Sequence, residues 1–592
     1  MNETKCPPDE IAMKSYFLGP RAENGEWFQE RIDGFLRSWF DWRRATFRKD
    51  GSPIPTSDLR APAFLQRQND LAERANELRE RFEAEIPKFS PRYVGHMFSE
   101  LSLPALMGHV IALLHNPNNI SAESSKVGLQ IEKEAVAMLL RMAGAVPERG
   151  VGHFTSGGTV ANFEALARAR HRIRLWQALG AYARREGVEH LALREASQMG
   201  WVKFDELGRR LSPSGFARWW AELQNEERPE NRLEEIYGET WRAPAIILGP
   251  SSHYSWRKGA ALLGFPAPAV IECELGREGR LDGASVRRAL GRCADEGRPV
   301  AMIVGVAGTT ELGSVDALDE IADEIESERA AGRFHWWHVD AAFGGFFASL
   351  RTSRPGDPLD ARTLSALGAL ARANSLTMDP HKLGYVPYAS GAFMCLDARD
   401  YPHSAVDAPY IAFENSVDPG VYSLEGSRSA TGAAATWLAG RTMGFDEKGH
   451  GRVLKRATQA RRRLEGILRE SAGVYVPGGL DLNVLCFSMG RARRLSVMNQ
   501  DVPSFIRWIE SLGESAFQVS RTTIARKSST ESLFQDLIAR GFDVDADEIR
   551  LVRLCLMNPF LSSEELRTDL IAEFAARVDE FLRPGRGADA LT

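Results

Sequence analysis

The stretch FHWWHVDAAFGG, residues 334–345, runs from aromatic and apolar side chains to one carboxylate and then to small residues. On an extended strand side chains alternate, so His338, Asp340 and Ala342 share one face and His335 points to the other. The run predicts a strand over Phe334–Ala342, with Asp340 near its carboxyl end, where open α/β sheets bind ligands. Ala341, Ala342, Gly344 and Gly345 leave room there for a flat ring. Taken alone, Asp-Ala-Ala is equally a turn-capping carboxylate. Because His335 and His338 face opposite ways, they and Asp340 do not make a metal site.

Working outward, short β-branched or apolar runs recur at Ala245–Gly249, Val300–Val306, Ser375–Met378 and Ala392–Leu396, bounded by glycine, proline or aspartate. Helical patterns lie between them at Ser285–Glu296, Ala317–Ala331 and Ala361–Ala373. Strand and helix alternating in this way predict an α/β domain with a mostly parallel central sheet, spanning 116–440. A Trp-, Arg- and Glu-rich stretch at about 171–242 interrupts the alternation and reads as a helical insertion. Residues 1–115 read as a helical segment, broken at Gly51–Pro55 and including a surface helix over Leu65–Ile86. Beyond 440 a basic helix (Val453–Leu468), a few strand-like runs and closing helices suggest a small α+β domain over 441–592.

The 592 residues are too many for one compact core. Lys plus Arg total 74 against 79 Asp plus Glu, a formal charge of -5, which argues against a nucleic-acid binder. The six cysteines form no CxxC pair, so neither a zinc site nor a disulfide framework is expected, and reduced thiols suit a cytoplasmic setting. The first residues lack the apolar run of a signal peptide, and no apolar stretch suggests a membrane span. P-loop, GxSxG and HExxH patterns are also absent from the sequence.

Two further stretches carry chemistry. In SLTMDPHKLGYVPY (375–388) an apolar strand ends at Asp-Pro, and Lys382 follows between His381 and Leu383. A lysine after a strand is ordinarily a solvated surface group. Here proline restricts the turn, Gly384 permits close backbone approach, and the lysine is placed to form an imine with an aldehyde cofactor. In FTSGGTVANFEALAR (154–168) a glycine turn enters an amphipathic helix. The free N–H groups of its first turn, with Gly157, Gly158 and the Thr159 hydroxyl, make an anion site. His253, in SSHYSW, opens the helix after the strand at 245, where its imidazole could lie against a ring.

TSGGTVAN, HVDAA and DPHK in this order resemble the group II pyridoxal-phosphate decarboxylases of fold type I. DPHKLGYVPYASG, HNPNN (115–119), LEGSRSATGAAATW (424–437) and MNP (557–559) are most similar to the bacterial tyrosine decarboxylases. The resemblance runs from about 85 to 590. It implies a homodimer whose N-terminal segment packs on the partner, with pyridoxal 5'-phosphate held as a Schiff base on Lys382. It further implies that Asp340 pairs with the pyridine nitrogen, His253 stacks on the ring, and Ala342 lies on the opposite ring face. Gly157, Gly158 and Thr159 would hold the phosphate, with His381 beside the lysine. Tyr410 falls on the family's catalytic loop and is the candidate acid that reprotonates Cα, with His253 as alternative. His96 and Tyr388 match positions near the substrate. Leu554 and Cys555 stand where short hydroxyl residues are expected, which leaves open an aromatic substrate, an acidic one, or a lyase or aldehyde-forming synthase on the same scaffold.

Overall fold

The computed structural model describes residues 8–47, 49, 51–276, 279–404 and 419–583. Its central sheet is built from β1 (Val151–Thr155), β2 (Ala245–Leu248), β3 (Val270–Glu272), β4 (Val300–Val306), β5 (Trp337–Ala341), β6 (Ser375–Met378) and β7 (Gly391–Cys395). The strand order is β1-β7-β6-β5-β4-β2-β3. Pairing is parallel from β3 through β6, and β7 runs antiparallel to both β6 and β1. β1 and β6, both antiparallel to β7, therefore point the same way. The carboxyl ends of β1, β2, β4, β5 and β6 thus lie along one edge of the sheet.

All seven residues of β4 are buried, as a strand covered on both faces requires. Alternation divides the side chains between two cores. Ile246, Leu248, Met302 and Val304 pack with the helix Gly158–Arg185, while Ile247, Ile303 and Val339 pack with helices of the other face. Each fully buried aliphatic side chain contributes about 1.5–3 kcal/mol.

Four of the five strands expected from sequence lie within a residue of their observed ends. The exception is Phe334–Ala342, which begins only at Trp337. Phe334 N donates to Gln198 O at 3.0 Å and the His335 ring lies 3.2 Å from Glu328 Oε2, so residues 334 and 335 are held by the neighbouring helical segments, while Trp336 O already accepts from Ile303 N of β4 at 2.9 Å. β1 and β3 had no strand signal. The expected helix Ala361–Ala373 ends at Gly368 and continues as a 3₁₀ turn, Ala369–Arg372. The stretch 171–242 is helical, but its first part belongs to the 28-residue helix Gly158–Arg185 that begins at the glycine turn. Four shorter helices follow, Leu193–Ser197, Gly200–Arg209, Pro213–Asn225 and Pro229–Tyr237.

A second sheet, order β10-β11-β9-β8, is antiparallel throughout and combines β8 (Val474–Tyr475), β9 (Val484–Met489), β10 (Ser520–Ala525) and β11 (Glu548–Cys555). At the other end of the chain, the helices Gly25–Thr46 and Pro62–Phe82 bury no side chain. Among the described residues no helix is long and apolar enough to cross a membrane.

Candidate active site

The segments that leave the carboxyl edge of the central sheet converge on one cavity of about 360 Å³. Gly157, Gly158 and Thr159 follow β1, His253 follows β2, Asp340 and Ala342 close β5, and His381, Lys382 and Tyr388 follow β6; all nine line it. Two expected residues fall elsewhere. His96 is exposed and does not line this cavity. Tyr410 lies outside the described residues.

Asp340 is 5% exposed and fully engaged on one oxygen. Asn162 Nδ2 donates to its Oδ2 at 2.8 Å and Trp256 Nε1 donates to the same atom at 3.0 Å. The Ala342 backbone N–H donates to Oδ1 at 3.2 Å. Donors of this kind hold a carboxylate in one orientation. Asn162 Nδ2 also lies 3.0 Å from Ser255 Oγ, which is 2.8 Å from His253 Nδ1. One chain of contacts therefore joins His253 to Asp340. The helix after β2 starts at Ser255, so His253 precedes it rather than opening it. Burial holds the His253 imidazole below its ordinary range; Asp340 opposes that shift and Lys382 adds to it.

His338, the apparent neighbour of Asp340 in a metal cluster, is committed elsewhere. Its ring nitrogens lie 2.8 Å from Ser375 Oγ and 3.2 Å from Thr377 Oγ1, and burial pushes its pKa down to about 3. Among the described residues no group of three or more His, Cys, Asp or Glu side chains could hold a metal ion.

The Lys382 Nζ lies 3.0 Å from Asp379 Oδ2, and the His381 ring stacks on Tyr388 at 4.1 Å. The loop is fixed from behind. Tyr385 sits at a left-handed φ of 55°, strained for a bulky residue, and its hydroxyl donates to Met557 O at 2.7 Å. That bond sets the MNP segment, 172 residues downstream, behind the lysine loop.

The glycine turn has the shape of a phosphate cradle. The first helical N–H groups after Gly157 have no intrahelical acceptor. A Cβ on Gly158 would meet Asp379 Oδ2 at 2.6 Å and Ala342 Cβ at 3.0 Å, and one on Gly157 would meet His381 at 3.3 Å. Side chains there would fill the cavity floor. Together with a lysine, a buried carboxylate and a histidine whose pKa burial lowers, this donor set fits pyridoxal phosphate.

Beside the cavity, Tyr388 meets Phe98 edge-on at 6.4 Å, and Phe98 stacks with His96 at 5.9 Å and with Tyr93 at 5.7 Å. His96 thus belongs to an aromatic wall one ring removed from the cavity. On β11 alternation separates the two residues that stand where short hydroxyl residues are expected. Leu554 faces opposite to Cys555, which is the one on the side of Lys382. Burial pushes the Cys555 thiol up to about 12, against the pull of Arg553 and Lys382. Sequence reasoning missed Asn162, Ser255, Trp256, Phe98 and Asp379. Asn162 stands in the quoted TSGGTVAN run, and its position one helical turn past the glycines was the available signal.

A family model for the pyridoxal-dependent decarboxylase conserved domain matches residues 218–490, a span that holds His253, Asp340 and Lys382. The chain is 27% identical to the L-tyrosine decarboxylase of Enterococcus faecium, over 97% of this chain and 99% of that one. Against the L-tyrosine decarboxylase of Levilactobacillus brevis it is 27% identical over 94% of each. The chain is a group II pyridoxal-phosphate-dependent decarboxylase. The decarboxylase shares its fold with mouse CSAD in apo form, at a TM-score of 0.62 and 18% identity over 95% of this chain and 99% of that one. It does so as well with Oryza sativa TDC with PLP and tryptamine, at 0.61 and 16% over 93% and 98%. These likenesses speak for fold type I alone. The cofactor of the decarboxylase is pyridoxal phosphate and its reaction is that of an amino-acid carboxy-lyase.

Proposed function

We propose that the decarboxylase converts an aromatic, tyrosine-like L-amino acid to its amine and CO2, with Lys382 as the covalent anchor of the cofactor. The observation that carries the substrate reading is Tyr388, which lines the cavity with Lys382 and is backed edge-on by Phe98. A planar ring substrate would find edge and face partners there.

When bound, pyridoxal phosphate supplies an electron sink for the pair left behind as the carboxylate departs. The Gly157–Thr159 turn would hold its phosphate and Lys382 Nζ its aldehyde carbon. Asp340 would hold a proton at the ring nitrogen, with the Asn162 and Trp256 donors keeping that carboxylate aimed. The His253 imidazole would lie over one ring face and Ala342 under the other, with His381 backing Tyr388. The Tyr410 hydroxyl would return a proton to Cα, with His253 the alternative donor.

A carbon-dioxide release screen over the standard amino acids tests the reading. Tyrosine and its aromatic neighbours are expected to lead, and release confined to glutamate or aspartate would overturn the substrate assignment. In the same assay Tyr410→Phe is expected to lose roughly a hundredfold or more in rate while retaining the cofactor's colour.

Three units are proposed within the chain, at 1–115, 116–440 and 441–592, with the first packing on a second copy of the chain. The two N-terminal helices bury no side chain and leave Trp42 54%, Leu71 70% and Phe82 67% exposed, apolar surface that a second copy would cover. Sedimentation at micromolar concentration is expected to give a dimer, and Leu71→Glu to weaken it. Among the described residues, five free, buried cysteines support a reducing compartment, the cytoplasm.

A further inference from the structure

We infer that Asp379 is a positioning residue for Lys382, holding its ε-amino group in the cavity and receiving it as an ammonium when the substrate amine takes its place. The inference rests on the reading of Lys382 as the anchor of the cofactor. The Asp379 carboxylate is 1% exposed, and its Oδ2 is 3.0 Å from Lys382 Nζ. A charge-assisted bond of that length is roughly twice as strong as a neutral one.

The carboxylate is fitted into place by the backbone around it. A Cβ on Gly158 would come within 2.6 Å of Oδ2, and one on Gly391 within 2.9 Å of Oδ1. Both positions are glycine where this carboxyl needs the room. The turn itself does not need the side chain, because Lys382 N already donates to Asp379 O at 3.0 Å. What the side chain adds is charge aimed at Nζ. The other groups that face it are few. His381 Nε2 lies 3.5 Å from Oδ2, and burial lowers that imidazole's pKa. His253 and Tyr388 also feel the carboxylate, the first drawn toward protonation and the second pushed away from ionisation. Lys382 is therefore the cation that meets Asp379 at closest range.

The exchange balances on these atoms. The bond from the lysine nitrogen to the carbonyl carbon breaks and one from the substrate nitrogen forms. Two protons of the substrate ammonium end on Lys382 Nζ, so the lysine leaves as an ammonium at the carboxylate. Without that charge the freed lysine has no fixed place and the exchange slows.

The test compares wild type with Asp379→Asn, first in the cofactor-free chain. Acetylation of Lys382 by a small reagent near neutral pH, read on its peptide by mass spectrometry, is expected to be roughly tenfold faster in the variant. That is the factor given by the loss of one charge-assisted bond of about 1.4 kcal/mol. In the loaded enzyme the pH at which the yellow imine band fades is expected to fall by about one unit or more, with kcat lowered more than KM is raised. Asp379→Glu, which keeps the charge, is expected to restore slow labelling; Asp379→Ser gives the same reading as asparagine should that variant not fold. Equal labelling of Lys382 in folded wild type and variant overturns the inference. A wild-type chain that takes up no cofactor would instead sink the reading of Lys382, and the labelling comparison on the free chain would still stand.

Discussion

Asp340→Asn is expected to lower kcat for amino-acid decarboxylation about a thousandfold while leaving the chain folded and able to take up the cofactor. A charge pair at ~4 Å with an effective dielectric of ~20 is worth roughly 4 kcal/mol, or about three pKa units. That is the strength with which Asp340 can hold a proton at the ring nitrogen. The variant keeps the volume but not the charge. Its single carbonyl oxygen is claimed by Asn162 Nδ2 and Trp256 Nε1, which both donate to Oδ2 in the native chain. The amide –NH2 then faces the ring nitrogen, where a donor meets a donor. Steady-state kinetics and the absorbance of the reconstituted variant check this together. A variant that keeps native kcat would remove Asp340 from the mechanism.

The second large effect is at Lys382. Lys382→Ala removes the nucleophile, and it leaves Asp379, buried and with its Oδ1 without a partner among the described residues, facing no cation. Activity is expected to fall at least ~10⁴-fold, beyond what loss of one general acid or base would cost. The phosphate turn is untouched by the change. The variant should therefore still bind pyridoxal phosphate, more weakly and without the imine colour.

The central sheet was legible because its inner strands are short, apolar and bounded by turn residues. Val300–Val306 and Ser375–Met378 coincide with the observed β4 and β6. β1 and β3 escaped because their β-forming residues come in runs too short to read: VGHFT is interrupted by Gly152 and VIE is three residues long. Both are strands by virtue of their neighbours. The late start of β5 has the same origin, since the links of Phe334 to Gln198 and of His335 to Glu328 depend on tertiary contacts that no local pattern announces.

For the site, motif residues could be placed on strand ends and a helix start, and nine of them line one cavity. What the sequence hid were the supporting partners. Trp256 and Ser255 read as ordinary helix residues until the fold sets them against Asp340 and His253. Asp379 read as half of a turn-forming Asp-Pro, and only the 3.0 Å approach of Lys382 Nζ gives it a second meaning. Leu554 and Cys555, adjacent in sequence, are separated by strand alternation, so only the thiol lies on the side of Lys382.

The most direct test of the account is to reconstitute the chain with pyridoxal phosphate, reduce it with borohydride and map the modified peptide. The cofactor is expected on Lys382 alone, with the yellow band lost on reduction and absent from Lys382→Ala. Cofactor attached to another lysine, or a chain that stays colourless, would contradict it.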